Sequence, residues 1–477
     1  MASSPPNILW YCSDQQRFDT IGALGNPHVH TPNLDRLVAE GVAFTHTYCQ
    51  SPICTPSRAS FLTGRYPSTV RVNGNGNPYF PREETLITRR LADTGYECGL
   101  VGKLHLAGAY NGREPRTDDG YRAFQYSHAP RDNWTTGHDY ADWLRARGED
   151  AARLLALRPD PFGLCEPTAE HDNVPPHLHQ TTWCSEQAID FVTEHQDRPW
   201  LLSVNPYDPH PPYNPPWEYY RRFDPATLPG PRFRESDLAH QARLAGVDFQ
   251  TAPMQPDDFD GAGGRKAQAL YYAMIEQVDE QFGRILDALD RTGQRENTVI
   301  IFMSDHGEAL GDHGLAHKGC RFFDGLTRVP LIWSWPGHFA AGLRSDALVG
   351  LLDVAPTLLE LAGLPIPDRM QGRSLLPILT GQAPPEHHRD FVRCEYYDAI
   401  DEPRHSFATM YRDRRWKLVV YHDLGLGELY DMEQDPDEFV SLWDDPAHQA
   451  VKTDLLIRGF DAAVRAMEYG PPRIMPF

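Results

Sequence analysis

Basic residues are in short supply in this chain: 45 lysines and arginines stand against 66 aspartates and glutamates, a formal charge of −21. A field of that sign excludes general nucleic-acid binding, which needs a basic face. It also requires any anionic ligand to be drawn in by a local cationic pocket. Long apolar runs are missing as well. No stretch approaches the roughly 20 apolar residues of a membrane span, so no membrane partner is expected. Met1 to Pro6 lack the basic and apolar regions of a secretory signal. Paired cysteine spacings are absent too: the eight cysteines, at 12, 49, 54, 98, 165, 184, 320 and 394, are scattered as in a reducing compartment. A cytoplasmic location is therefore expected. No internal repeat or low-complexity tract stands out.

What is present is the make-up of a globular enzyme, 40% hydrophobic and 11% aromatic. A chain of 477 residues is too long for one typical core and predicts a large domain with a smaller one. Strands alternate with helices through residues 1–388, the pattern of a mostly parallel α/β sheet sandwiched by helices. Asn7 to Ser13 is a continuous apolar run, as expected of a strand covered on both faces. Further strands are predicted at Tyr96–Val101, Trp200–Val204, Thr298–Met303 and Val329–Trp333. Helices are predicted at Trp183–Glu194, Lys266–Leu289 and Val354–Leu361. Another is read from Thr31 as cap, through Pro32 in its first turn, to Gly41 as its close. Residues 389–477, with Trp416–Tyr421 and Glu428–Asp431, read as a small subdomain built on an antiparallel sheet.

Two segments, about 108–180 and 211–264, are rich in Pro, Asp, Gly and Arg and show little periodicity. Irregular segments of that length usually line or cover a site. They carry Trp134, Trp143, Tyr213, Trp217 and Tyr219, which either stack on a sugar or aryl ring or form a small core of their own.

The chemistry-bearing residues fall at strand ends. Cys54-Thr55-Pro56-Ser57-Arg58 reads as a helix start, with Thr55 as cap and Pro56 at the first helical position. Cys54 would then sit just before a helix N-terminus, where free N–H groups favour an anion. A lone cysteine is otherwise a small buried hydrophobe, so its neighbours decide. The first strand runs into Asp14-Gln15, and the strand at 298–303 runs into Asp305-His306. In an open α/β sheet ligands collect beyond the carboxyl ends of strands. These four side chains offer oxygen ligands and one imidazole, suited to Ca²⁺, Mg²⁺ or Mn²⁺. A single such Asp is often only a helix cap. Lys103 and His105, His210, and Lys318 follow other strands or the metal cluster, and each alone reads as an ordinary polar residue. Together, in so acidic a chain, they form a clamp for an anion such as sulfate.

Along nearly its whole length the sequence resembles the formylglycine-dependent sulfatases of the alkaline phosphatase superfamily. The resemblance is carried by Pro-Asn-Ile-Leu at 6–9, Asp14, Thr-Pro-Asn-Leu-Asp-Arg-Leu at 31–37 and Cys-Thr-Pro-Ser-Arg at 54–58. It continues through Gly-Lys-x-His at 102–105, Ser-Asp-His-Gly at 304–307, the run 353–363, Gly-Arg-Ser-Leu-Leu-Pro at 372–377 and Leu-Tyr-Asp at 429–431. Gln15 stands where many of these enzymes carry Asp, and His306 where many carry Asn. That pairing resembles the phosphonate monoester hydrolase and choline-sulfatase branches.

The resemblance implies that a maturation enzyme oxidises Cys54 to Cα-formylglycine, whose hydrate attacks through one hydroxyl and expels sulfate with the other. It implies one divalent ion, Ca²⁺ first with Mn²⁺ or Mg²⁺ as alternatives, held by Asp14, Gln15, residue 54, Asp305 and His306. Arg58 and Lys103 would keep the nucleophile ionised. Lys103, His210 and Lys318 would stabilise the sulfuryl oxygens, with His210 or Lys318 protonating the departing alcohol. His105 would take the proton of the second hydroxyl. Asn75 aligns with a polar substrate contact, with Asn73 and Asn77 as alternatives. The expected substrate is a small-molecule or saccharide sulfate ester. A phosphonate monoester or phosphodiester is the second reading, and an unmodified homologue kept for binding or assembly is the third. The tail Tyr469–Phe477 is a candidate docking arm for a homo-oligomer.

Overall fold

The computed structural model describes residues 5–109, 112–133, 136–160, 162–247, 262–400, 405–468 and 475. Trp134 and the tail, Met475 apart, lie outside the described residues. Nine strands form the large sheet: β1 (Asn7–Ser13), β2 (Val42–Tyr48), β3 (Glu97–Gly102), β4 (Ala123–Tyr126), β5 (Trp200–Asn205), β6 (Thr298–Ser304), β7 (Arg328–Val329), β8 (Leu331–Ser334) and β9 (Leu343–Gly350). Their order is β4-β3-β5-β1-β6-β8-β2-β7, with β9 also on β2. β3, β5, β1 and β6 are all parallel. β8 runs antiparallel to both β6 and β2, so β2 points the same way as β6.

Both faces of the sheet are covered, and β1 shows how. Ile8, Trp10 and Cys12 pack into one core with Phe61, Val354 and Leu358. Leu9 and Tyr11, pointing the other way, pack with Trp183, Phe282 and Ile285. The period-two alternation of a strand thus feeds two apolar layers. One layer rests on the helices Gln180–Glu194 and Ala262–Arg291, each starting a few residues before its predicted bound. The other rests on the helices Cys54–Thr63 and Val354–Leu361. A second sheet of β10 (Val392–Tyr397), β11 (Phe407–Arg412), β12 (Trp416–Tyr421) and β13 (Leu426–Asp431) is antiparallel throughout. Gln449–Arg465 forms a helix beside it.

Several local expectations change. The helix α1 (Pro32–Glu40) is preceded by Thr31, but the Thr31 hydroxyl bonds Asp35 and the Gly22 N–H and makes no cap. Gly41 leaves α1 extended, at φ −143, and a Cβ there would meet the Trp333 carbonyl at 2.2 Å. Its glycine is required by close backbone approach to β8, not by a left-handed close. The strand read as Val329–Trp333 is two strands, β7 and β8, split at Pro330, whose missing N–H interrupts a ladder. The segments read as irregular contain β4 and the helices Asp139–Ala146 and Glu235–Arg243. Their aromatics pack on the rest of the molecule: Tyr213 and Tyr219 are buried in one cluster with Leu270, Tyr271 and Met274 of the helix Ala262–Arg291, with Trp217 at its edge, and Trp143 packs on Tyr140 beside the core under β1.

Candidate active site

Five strand ends meet on one side of the large sheet. β1 and β6 are parallel neighbours with Ser13 opposite Ser304, so the next residues, Asp14 and Asp305, emerge side by side although 291 positions separate them in the chain. β3 delivers Lys103, β5 delivers Asp208 and His210, and β2 leads through a short connection to Cys54. The helix α2 (Cys54–Thr63) begins on Cys54 itself, with Ile53 as its cap residue. Thr55 is therefore inside the first turn and caps nothing. The orphan Thr55 N–H is met from outside by the Asn75 side-chain oxygen at 3.0 Å. Asn75 thus caps the helix that bears Cys54, while Asn73 Oδ1 and Asn77 Nδ2 are buried with no hydrogen-bond partner.

Ligand atoms of Asp14, Cys54, Asp305 and His306 lie within 4.8 Å of one another, and all four residues are buried. The His306 ring donates from Nδ1 to the Gly307 carbonyl at 2.9 Å and turns Nε2 to the Cys54 sulfur at 3.1 Å. Gln15 completes the group from a left-handed backbone, φ 68. Its N–H donates to Asp305 Oδ1 at 3.0 Å, its side-chain amide donates to Glu308, and its Oε1 accepts from Lys318 at 2.6 Å. Two carboxylates, an amide oxygen and an imidazole around one point are the donor set of a hard to intermediate divalent ion.

Cations hold the other side. Arg58, one turn along α2 from Cys54, donates from Nε to Asp305 Oδ2 at 2.9 Å and from Nη1 to the Lys103 carbonyl at 3.0 Å. Lys103 donates to Asp14 Oδ2. Lys318 lies 3.0 Å from the Cys54 sulfur. Burial opposes ionisation of the Cys54 thiol, yet Lys103, Lys318 and His306 and a hydrogen bond with His105 outweigh it and hold the thiol well below its ordinary range. Asp14 behaves alike: burial raises it, but Lys103, with His210 and Arg58, brings it to about 2. Burial, reinforced by Lys103, lowers His105 to about 4, and burial with Lys318 does the same for His210. Residue 54 acts on both histidines in the opposite sense, raising each against its burial. His210 donates from Nδ1 to the Pro211 carbonyl at 2.6 Å, leaving Nε2 as its free nitrogen.

The structure thus gathers Asp14, Gln15, Cys54, Arg58, Lys103, His105, His210, Asp305, His306 and Lys318 around one buried point. Asn75 stands one step back as the cap. Two residues that the sequence did not single out for a role support it. Glu308, in the same stretch as Asp305, anchors the Gln15 amide. Glu114, from within the first irregular segment, accepts the N–H groups of His105, Leu106 and Ala107 at 2.6, 2.7 and 3.0 Å. It holds the loop in which His105 adopts the left-handed φ of 55, and no periodicity or motif announces it. Beside the centre lies a cavity of about 160 Å³ whose lining includes Phe162, Leu164, Tyr213 and His317. Gly163, in that lining segment, sits against Pro211 and His317, the neighbours of His210 and Lys318.

Residues 6–364 match the Sulfatase family model, and residues 311–460 match the model of the C-terminal part of N-sulphoglucosamine sulphohydrolase. The chain is 31% identical over 491 residues to choline-sulfatase of Rhizobium meliloti, covering 98% of this chain and 90% of that one. It is 29% identical over 450 residues to an arylsulfatase of Clostridium perfringens, covering 92% and 90%. The crystal structure of phosphonate monoester hydrolase of Agrobacterium radiobacter superimposes with a TM-score of 0.81 at 29% identity, covering 99% of this chain and 100% of that one.

Proposed function

The chain belongs to the sulfatase family, and from that premise we propose that its Cys54 pocket hydrolyses sulfate monoesters with a formylglycine at position 54 and one divalent ion. The observation that carries the reading is the convergence of Asp14, Cys54, Asp305 and His306 within 4.8 Å, ringed by Arg58, Lys103 and Lys318. Asp14, Gln15, Asp305 and His306 would hold the ion, Ca²⁺ first, with Mn²⁺ and Mg²⁺ as alternatives. The ion, when bound, supplies Lewis-acid polarisation of the ester's sulfate group. Oxidation of Cys54 by a maturation enzyme supplies an aldehyde whose hydrate has one hydroxyl to attack and one to expel sulfate.

The remaining work falls to the chain's own side chains. Arg58 locks Asp305 and, through the Lys103 carbonyl, the turn that carries Lys103. Lys103, His210 and Lys318 surround residue 54 and neutralise the sulfuryl oxygens, a fixed electrostatic clamp that needs no reorganisation. His210 is neutral at pH 7 with its Nδ1 proton committed to Pro211, so the Lys318 ammonium is the better proton donor to the departing alcohol. His105, neutral and close enough to residue 54 to feel its charge, takes the proton of the second hydroxyl as a general base. The cavity beside His317 receives the alcohol portion. The eight free, buried cysteines support a reducing, cytoplasmic location.

A second reading, phosphonate monoester or phosphodiester hydrolysis in the same pocket, is favoured by Gln15 and His306 and by the 0.81 superposition on a phosphonate monoester hydrolase. Rates on an aryl sulfate and a phenyl phosphonate ester, measured on one matured preparation at one pH, separate the two. Higher kcat/KM on the sulfate is expected, and a phosphonate preference overturns the first reading.

A further inference from the structure

Gln15 is the odd member of the ligand group. Asp14 and Asp305 accept through either oxygen, and His306 has already given its Nδ1 proton to the Gly307 carbonyl. A primary amide is two-ended: an accepting oxygen and a donating NH₂, alike in shape. Turned one way Gln15 is a ligand, and turned the other it sets two N–H groups against a cation. Its neighbours decide which. Lys318, an ammonium with three donors and no acceptor, lies 2.6 Å from Oε1, and at the far end Nε2 donates to Glu308 Oε2. Lys318 also reaches the Cys54 sulfur at 3.0 Å and the His306 Nε2 at 3.3 Å, so the oxygen end faces the ligand group.

Reversing the amide would set N–H against ammonium and carbonyl oxygen against carboxylate. Gln15, Glu308 and Lys318 are all buried, so two charge-assisted hydrogen bonds would become two repulsions away from water. Of the two guides, Lys318 also serves the departing alcohol and is no fixed reference. Glu308 is held on every side. Its N–H donates to the Gly325 carbonyl at 2.8 Å, its own carbonyl accepts from Arg17 Nη1 at 2.8 Å, and its Oε1 accepts the Leu310 N–H at 3.0 Å. That leaves Oε2 for Gln15. The Gln15 backbone is fixed as well, its N–H on Asp305 Oδ1 at 3.0 Å and its carbonyl under the Tyr271 hydroxyl at 2.6 Å. What Glu308 settles is therefore the facing of the amide.

We propose that Glu308 is the positioning residue that turns the Gln15 oxygen, and not its NH₂, toward the ion, so that residues 15 and 308 act as one unit in metal binding. The inference rests on the metal reading given above and deepens it. Calorimetric titration of the full chain with Ca²⁺ tests it without turnover. Glu308→Gln keeps the shape but sets an amide against an amide, whose facing is then unsettled. Affinity should fall by roughly 10- to 100-fold, the usual effect of losing an outer-shell partner. Gln15→Glu sets a carboxylate against Glu308. In that background Glu308→Gln supplies the missing donor and should raise Ca²⁺ affinity. The reversal of sign marks positioning, since a residue that merely braced the turn through Leu310 would lower affinity in both backgrounds.

Equal losses in the two backgrounds overturn the proposal, and so does an undiminished affinity in Glu308→Gln alone. Should that single variant fold poorly, Gln15→Glu compared with the double variant reads the same sign, and a lower affinity in the double variant overturns it. A folded parent chain that binds neither Ca²⁺ nor Mn²⁺ removes the metal reading itself, a failure distinct from any of these, and the inference goes with it.

Discussion

Around Lys417 and around Cys54 the chain buries charge to similar depth and balances it differently. Lys417 spends its three protons on the Phe322 carbonyl, Asp324 and Glu438, at 3.0, 2.6 and 2.6 Å. Asp324 is met again by Tyr48 and Arg328, and Glu438 by the Asp324 N–H. That cluster closes on itself. The Cys54 cluster does not. Arg58, Lys103 and Lys318 face Asp14 and Asp305, and the Arg58 Nη2, 3.7 Å from Asp14, and the His105 Nδ1 are buried without a hydrogen-bond partner. Buried polar groups are normally satisfied, so valences left open in one place and filled in the other distinguish a site from a joint. The closed cluster pins the antiparallel sheet to the segment 322–327, whose Gly325 and Leu326 carbonyls in turn accept the N–H groups of Glu308 and Gly307 behind the open one.

Substitutions in the two places should separate. Asp305→Ala removes a carboxylate shared by Arg58, Gln15 and His306. Turnover should be lost, and calorimetric Ca²⁺ affinity should fall by more than the roughly 10- to 100-fold that an outer-shell change costs. Unchanged affinity would take Asp305 out of the ligand set. Lys417→Met leaves Glu438 buried without its cation and Asp324 with Arg328 in its place. Denaturant unfolding should show a loss of about 3–5 kcal/mol, with ion affinity retained in the folded fraction. A loss of ion affinity with stability intact would erase the distinction between the clusters. The smallest effect is expected at Glu114→Gln. Displacing the His105 loop should slow turnover roughly tenfold, a part of what a general base contributes. The amides of residues 105–107 should exchange with solvent faster than in the parent, and unaltered exchange would mean that Glu114 does not hold that loop.

Much of this was readable from residue order. The parallel strands announce themselves as apolar runs, and the acids at 14 and 305 sit where strands end, so their convergence follows from how parallel sheets gather ligands. The start of α2 lies two residues before the one that Thr55-Pro56 suggests, because Thr-Pro fits a cap equally well on paper, and only the Asn75 oxygen on the Thr55 N–H shows what caps the helix. Glu114 was invisible because its partners are backbone N–H groups, which carry no side-chain signature. Gly41 and Pro330 carried the right residue for a reason that appears only when β8 packs against them. A two-residue strand such as β7 depends on pairing across the sheet and leaves little local trace.

The whole reading turns on what residue 54 becomes, and the mass of the peptide spanning it settles that most directly. In protein made beside a competent maturation enzyme, that peptide should weigh about 18 Da less than its thiol form, as expected for oxidation of CH₂SH to CHO, in a fraction equal to the active-site titre. Full turnover from protein whose Cys54 retains the thiol mass would contradict it.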